Sequence, residues 1–394
     1  MNKLDEIELL ATLVGIDSSN PGPGETEMAE FLEDLAIENG FEVKKFEKKV
    51  GRSNLIITVD AGKGAALGFS GHLDTKPIGD ASALWNTKPW EFTVDGDLGY
   101  GLGTSDMKAG LAAMFVAATR WSKVAQSGQL RLIFTADEES GSIYGSQYLG
   151  SEVQLNVDEI LVGEPSGVKL PWEAIHTISR GISCFEIIIK GLQGHSGLSE
   201  TLPTSATIGA AKVLLALADI DLSSISDRKA RGKPTLNMGV TLGGGVTYGV
   251  HPGEARFKCD VRLIPNMKKE DLESLINIAL TTTLPGDLEW EIRWEEGIGW
   301  MEAVQIPDSS KLVKVTQAVA RERLGREVPL GCYPGGTDAS NFFLRGGIPA
   351  LASFGPGWLS VAHGPNERVG ISQVREATDM YTMIAERYLN SGSA

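Results

Sequence analysis

Apolar residues recur at three- and four-residue spacing in LDEIELLATLV (4–14) and in ETEMAEFLEDLAIENG (25–40). That spacing predicts two amphipathic helices, the second stopped by Gly40. The pattern then changes to short apolar runs, SNLIITVDAG and AALGFSGHLD, which read as strands. An Ala- and Met-rich helix is predicted over 106–124 (DMKAGLAAMFVAATRWSKV). Buried strands are predicted over 129–140 (QLRLIFTADEES) and 157–166 (VDEILVGEPS), both running out into acidic residues. Strands and helices alternating at these lengths predict an α/β unit with a mostly parallel central sheet. Ligand sites in such sheets lie beyond the carboxyl ends of the strands.

From residue 180 the order differs. Strand patterns at 182–191, 234–244, 253–265 and 288–294 enclose helical patterns at 204–220 and 268–284. This βαββαβ order is ferredoxin-like. It predicts a second domain, residues 180–294, inserted into a first made of 1–179 and 295–394. The α/β character returns with a helix in DSSKLVKVTQAVARERLG, a strand in IPALASFGPG (348–357) and a closing helix in ISQVREATDMYTMIAERYLN. A chain of 394 residues is long enough for two cores.

Composition excludes several classes. At 42% hydrophobic and 22% charged residues, the chain is ordinary for a folded protein. A net charge of -15 argues against nucleic acid or anionic membranes as partners. No apolar run approaches the roughly 18–20 residues that span a bilayer. The N-terminal stretch mixes acids with apolar residues and does not read as a signal peptide, so a cytoplasmic location is expected. The three cysteines, Cys184, Cys259 and Cys332, form neither a disulfide framework nor a CxxC motif.

The candidate chemistry collects at predicted strand ends and helix starts. GHLD supplies His72 and Asp74, GTSDMKAG supplies Asp106, and ADEES supplies Asp137, Glu138 and Glu139. VGEPS adds Glu164, and AHGPNE adds His363 and Glu367. Taken singly, Asp106 reads as a helix N-cap and the Glu138–Glu139 pair as a solvated loop. Taken together at one sheet edge, the carboxylates would repel, and a pair of divalent cations is the simplest way to neutralise them. Two histidines with several carboxylates suit zinc, cobalt or manganese, whereas calcium prefers all-oxygen ligands. Asp74 lies two residues from His72, on the same face if the strand persists, which suits a carboxylate that orients the imidazole. A nicotinamide-dependent enzyme is disfavoured, because GLGTSD is not a GxGxxG fingerprint.

These motifs, in this order, resemble the M20 metallopeptidases, a group that includes acetylornithine deacetylase, succinyl-diaminopimelate desuccinylase, aminoacylase-1 and glutamate carboxypeptidase. GHLDTKP, WNTKPWEFTVDGDLGYGLGTSDMKAG, TADEESGS, VGEPS, GLQGHSG, PGGTDAS and FGPGWLSVAHGPNE carry the resemblance across nearly the whole chain. It implies a zinc-peptidase-like catalytic domain interrupted by a ferredoxin-like dimerisation or lid domain, and hence a homodimer. Carried over by position, Asp106 would bridge two metal ions, zinc first among the candidates. His72 and Glu164 would complete one site and Glu139 and His363 the other. Asp74 would orient His72, Glu138 would be the general base, and a cis Asp106–Met107 bond is expected. His195, from GHSG, would stabilise the oxyanion across the dimer. Arg262 would clamp a substrate carboxylate, and the turn containing Gly336 and Thr337 would contact the substrate. Departures from the pattern, among them Leu102, Thr75, Lys76, Gly249 and His251, spare every expected ligand.

The implied activity is hydrolysis of the amide bond of an N-acyl amino acid. Alternatives are a dipeptidase or carboxypeptidase using the same machinery, and a non-catalytic metal-binding protein on the same scaffold.

Overall fold

The computed structural model describes residues 4–227 and 231–390. Two compact units divide the chain: Met1–Ser179 with Gln305–Ala394, and Arg180–Val304.

The first unit is built on a six-stranded sheet. Its order is Glu42–Glu47, Ser53–Asp60, Gln129–Thr135, Ala66–His72, Glu159–Val162, Ala350–Leu351. The Ser53–Asp60 strand is antiparallel to both its neighbours, and the remaining pairs are parallel. Helices cover the central strands, so Ala66–His72 is buried almost throughout and shows no alternation. The edge strand Glu42–Glu47, by contrast, is largely exposed and carries charge, which discourages further pairing.

The helix Ala109–Trp121 is buried on nearly every side and packs on the closing helix Ile371–Asn390. Its many alanines let it approach that closely. Phe69 and Tyr381 join sheet to closing helix, with ring centroids 5.4 Å apart. The continuous run IPALASFGPG is broken into two short strands, Ala350–Leu351 and Gly355–Trp358.

The parallel strands Ala66–His72, Gln129–Thr135 and Glu159–Val162 all end at the same edge, with His72 directly beside Thr135. The peptide before Glu164 is packed from two sides. A Cβ on Gly110 would lie 2.6 Å from the Gly163 carbonyl oxygen, and one on Gly355 only 2.0 Å away.

The second unit is an antiparallel sheet in the order Thr235–Gly244, Glu254–Leu263, Gly181–Lys190, Glu289–Trp294. One face packs on the helices Ala206–Ala218 and Lys269–Thr283, which produces the buried/exposed alternation of Glu254–Leu263. This unit runs to Val304, ten residues beyond the expected 294, because residues 295–301 fold back on its first strand. The Glu295 N–H donates to the Cys184 carbonyl, and Met301 and Ile182 exchange N–H···O bonds. EEGIGWMEAV has no hydrophobic period, so nothing in its pattern marks that return.

Gly355→Ala should lower stability by about 2–3 kcal/mol, the upper part of the usual range for overpacking. The readout is the urea midpoint, and an unchanged midpoint would show that the Gly163 peptide moves aside freely.

Candidate active site

His72 is the last residue of its strand, which is why Asp74 does not share its face as a continuing strand would require. The Asp74 backbone carbonyl, not its carboxylate, takes the His72 Nδ1 hydrogen, at 2.9 Å against 3.6 Å for Oδ1. The Asp74 carboxylate turns instead to the Asn20 side-chain amide and to the backbone N–H groups of Glu138 and Glu139.

Asp106 is not a helix cap. It lies in an irregular turn, Thr104–Lys108, with φ -127° and ψ 88°, and the helix begins only at Ala109. The Asp106–Met107 peptide is cis. The Glu367 carboxylate holds this turn, accepting from the N–H groups of Gly103, Ser105 and Asp106 at 2.7–2.9 Å.

With its backbone so held, Asp106 faces both histidines. Its Oδ1 lies 2.9 Å from His72 Nε2 and its Oδ2 3.1 Å from His363 Nε2. Glu164 Oε1 lies 3.5 Å from His72 Nε2, and Tyr333 donates its hydroxyl to Glu164 Oε2 at 3.1 Å. Both Glu139 carboxylate oxygens lie 3.1 Å from His363 Nε2. Ligand atoms of His72, Glu138 and Glu164 all fall within 4.8 Å of one another, as do those of His72, Asp106 and Glu139. Lys76 reaches the Glu139 carbonyl oxygen and lies 3.5 Å from its carboxylate.

The remaining candidates have other partners. His195 and Arg262 belong to the inserted unit. His195 is exposed and accepts from the Gly197 N–H, and Arg262 Nε lies 3.7 Å from Asp260. Thr337 is buried in the first unit, with its N–H donated to Ser179 Oγ at 2.9 Å, and Gly336 beside it is half-buried.

The electrostatics are those of acids crowded out of water. Burial raises the carboxyls of Asp74 and Glu164 to about 7, and neighbouring acids add to the effect. Burial likewise pushes Glu138 well above the usual range and Glu367 to about 8. For Asp106 burial is overridden by its hydrogen bonds to His363 and His72, which hold it below the usual range. Burial would lower His72, but Asp106 and Glu164 carry it well above the ordinary value. Hydrogen bonds to Asp106 and then Glu139 raise His363 to about 10.

The donor set fits divalent metal. His72 Nδ1 is committed to a carbonyl oxygen, so its proton sits there. Nε2 then faces carboxylate oxygens of Asp106 and Glu164, which call for positive charge between them, carried by a proton or by a metal ion. His363 Nε2 is likewise surrounded by oxygens of Asp106 and Glu139. Ligand atoms about 3 Å apart suit ions bound at about 2.0–2.2 Å.

A model of Peptidase family M20/M25/M40 matches residues 68–387. The chain belongs to this family. It is 29% identical to a succinyl-diaminopimelate desuccinylase of Nautilia profundicola, over 98% of this chain and 100% of that one. It is 27% identical to an acetylornithine deacetylase of Photorhabdus laumondii, over 97% and 94% of the two chains. An M20 family metallo-carboxypeptidase from Sulfolobus solfataricus has the same fold, with TM-score 0.75 and 20% identity over 98% of this chain and 99% of that one. As an M20 member with deacylase relatives, the chain is a metal-dependent amidohydrolase or peptidase. No described helix is long and apolar enough to cross a membrane.

Several residues of the site carried no assigned role in the sequence. Glu367 and Asp137 stood among the acids without a function, and Asn20, Glu25, Lys108, Tyr333 and Asp338 passed unnoticed. Asp338 accepts hydroxyls from Thr135, Ser142 and Ser146. Lys108 is fully buried and donates to the Ile16 carbonyl oxygen at 2.8 Å; burial holds it down at about 8. The signal for Asn20 and Glu25 was SSNPGPGE, a polar segment too rich in Pro and Gly to be a helix and yet placed between two helices.

Glu367→Ala should strip three buried N–H groups of their acceptor and loosen the Asp106 turn. Metal affinity should fall about 10–100-fold, read by competition with a chromogenic chelator. Affinity equal to the parent's would show that the turn holds Asp106 without this carboxylate.

Proposed function

We propose that the protein is a two-metal hydrolase that cleaves the amide bond of an N-acyl amino acid. The observation that carries this reading is Asp106, which presents one carboxylate oxygen to each of two imidazoles. Glu164 on the His72 side and Glu139 on the His363 side make two half-sites sharing one aspartate. Mixed nitrogen and oxygen ligands suit zinc, and cobalt or manganese take the same set. Ions bound there supply Lewis acidity, lowering the pKa of water and polarising an amide carbonyl.

Glu138 is the general base in this reading. Its carboxyl lies within 4.8 Å of ligand atoms of His72 and Glu164, within reach of a water held beside them, and the base is the role that the M20 resemblance gives it. It accepts a proton from the attacking water and passes it to the leaving amine nitrogen, so that the C–N bond breaks to give a carboxylate and an amine. Asp74 holds His72 through its carbonyl and the Glu138 turn through its carboxylate. The acyl-amino-acid substrate is supported by two full-length relatives named as a desuccinylase and a deacetylase.

A homodimer through the inserted unit is part of the proposal. Its edge strand Thr235–Gly244 exposes Val240 and Leu242, and the helix Ala206–Ala218 exposes Ile208 and Leu215. His195, exposed in the same unit, would donate to the developing oxyanion in the second copy's site. Arg262 is proposed to hold the substrate carboxylate. Gly336 and Thr337 are the proposed contacts in their turn, Thr337 through its hydroxyl, since its N–H is already engaged. Cytoplasmic action on a small soluble substrate is the accompanying expectation.

Glu138→Ala should keep the parent's metal content and lose about 10²–10⁴-fold in kcat, while Asp106→Ala should lose metal and activity together. Metal content by elemental analysis and released amine are the readouts. Full turnover by Glu138→Ala would remove it as the base. N-succinyl and N-acetyl amino acids should be cleaved in preference to dipeptides. Cleavage of dipeptides alone would replace the deacylase with a dipeptidase.

Chelation should lower the melting temperature, and zinc at about 100 times its dissociation constant should return about 2.7 kcal/mol. A melting temperature indifferent to both would contradict a metal site built from these residues.

A further inference from the structure

The acidic turn Asp137–Glu138–Glu139 is held by its own backbone. The Asp137 N–H donates to Glu25 Oε1 at 2.9 Å. Those of Glu138 and Glu139 donate to Asp74 Oδ1 and Oδ2, each at 3.2 Å. Three successive amides therefore point at carboxylates from two remote segments. Arg52 pairs with the same Glu25 oxygen at 2.9 Å and closes the outer end. Asp137 adopts a left-handed φ of 62°, uncommon for a residue with a side chain. Its carboxylate accepts from the Tyr144 N–H at 3.2 Å and from Asn20 Nδ2 at 3.0 Å.

Asn20 Nδ2 also lies 3.0 Å from Asp74 Oδ2. One amide group, with one hydrogen for each acid, thus bridges the two carboxylates that frame the Glu138 backbone. Asn20 is itself buried, 2% exposed. Its N–H donates to the Thr75 carbonyl at 2.8 Å, and the Thr75 N–H returns to Ser18 at 3.2 Å, which ties Asn20 to the segment carrying Asp74. Its hydrogen bonds reach Asp74, Asp137, Thr75 and Ser140, none of them a proposed metal ligand.

We infer that Asn20 is a positioning residue that sets the direction of the Glu138 carboxylate by bridging Asp74 and Asp137. The inference rests on the reading of Glu138 as the base. The chemistry calls for an uncharged group with two donors. An aspartate would add a third acid to two buried ones, and an apolar side chain would leave both without a shared donor. Once the bridge is lost the backbone at Glu138 is free to shift, while Glu139 keeps the Lys76 contacts to its carbonyl and carboxylate oxygens. A misplacement of about 1 Å at a reacting group costs on the order of 10²-fold in rate.

The test compares Asn20→Ala and Asn20→Ser with the parent, alone and combined with Glu138→Gln, on the metal-loaded protein. Metal content, melting temperature, KM and kcat are measured with the best substrate from the acyl-amino-acid and dipeptide panel. Asn20→Ala should keep the parent's metal content and a KM within about threefold, while kcat falls about 30–100-fold. Asn20→Ser, which keeps one donor, should fall between, and it decides the matter should the alanine variant fail to fold. In the Glu138→Gln background, Asn20→Ala should cost less than about threefold more, because the group it positions is already gone.

A parent-like kcat in both Asn20 variants overturns the inference. So does an undiminished loss in the Glu138→Gln background, or a loss of activity that follows loss of metal, since either means a general structural role. Full activity in Glu138→Gln alone would sink the base assignment, and this inference with it. Inactive Glu138→Gln beside active Asn20 variants would sink only the role of Asn20.

Discussion

Buried carboxylates and two imidazole nitrogens meet at one sheet edge, the nitrogens about 3 Å from carboxylate oxygens, and acids crowded in this way repel unless positive charge lies among them. Much of the first unit serves that constraint. Parallel strands deliver His72, the Glu138–Glu139 turn and Glu164 to a common end. The long loop before the closing helix returns His363 and Glu367 to the same place from the far end of the sequence. The electrostatic surroundings of these groups point the same way. Carboxyls are pushed upward by burial, and the imidazoles, His363 among them although it is exposed, are pushed upward by the carboxylates beside them.

The acids fall into two sets that differ in what their oxygens face. Asp106, Glu139 and Glu164 face imidazole nitrogens. Asp74, Glu25 and Glu367 face backbone N–H groups, and Asp137 and Asp338 face a mixture of amides and hydroxyls. The second set makes rigid supports out of turns that have no helix or strand to hold them. Glu367 fixes the peptides leading to Asp106, while Asp74 and Glu25 fix those of residues 137–139. A buried carboxylate that accepts several backbone hydrogen bonds is an effective clamp, since each is charge-assisted and shielded from water. The chain therefore uses one chemical group both to gather metal ligands and to stiffen the loops that carry them.

The fold was readable to a large extent because periodicity reports burial. The helices at 26–38, 311–324 and 371–390 and the strands at 53–60, 129–135 and 254–263 stand close to where the apolar spacing puts them. The misreadings share a cause. Residues 106–108 continue a helical pattern in composition, but Glu367, some 260 positions away, takes the amide hydrogens of the turn and the helix starts late. Residues 295–301 carry no period and follow the strand they pair with. In the first place a distant carboxylate overrode a local preference, and in the second long-range backbone hydrogen bonds shaped a stretch that had none.

For the site, the sequence by itself determined the inventory: which segments end in acid or histidine, and that their composition suits a divalent cation. Residue type and strand-end position are local properties, and they were enough. Only the tertiary structure decided which oxygen faces what. It turned the Asp74 carbonyl, not its carboxylate, toward His72, and it gave Glu367 to three backbone amides. It also placed Asn20 between two acids. Those choices depend on where a strand stops and on which distant donor arrives within hydrogen-bonding distance, and no local pattern of residues encodes either.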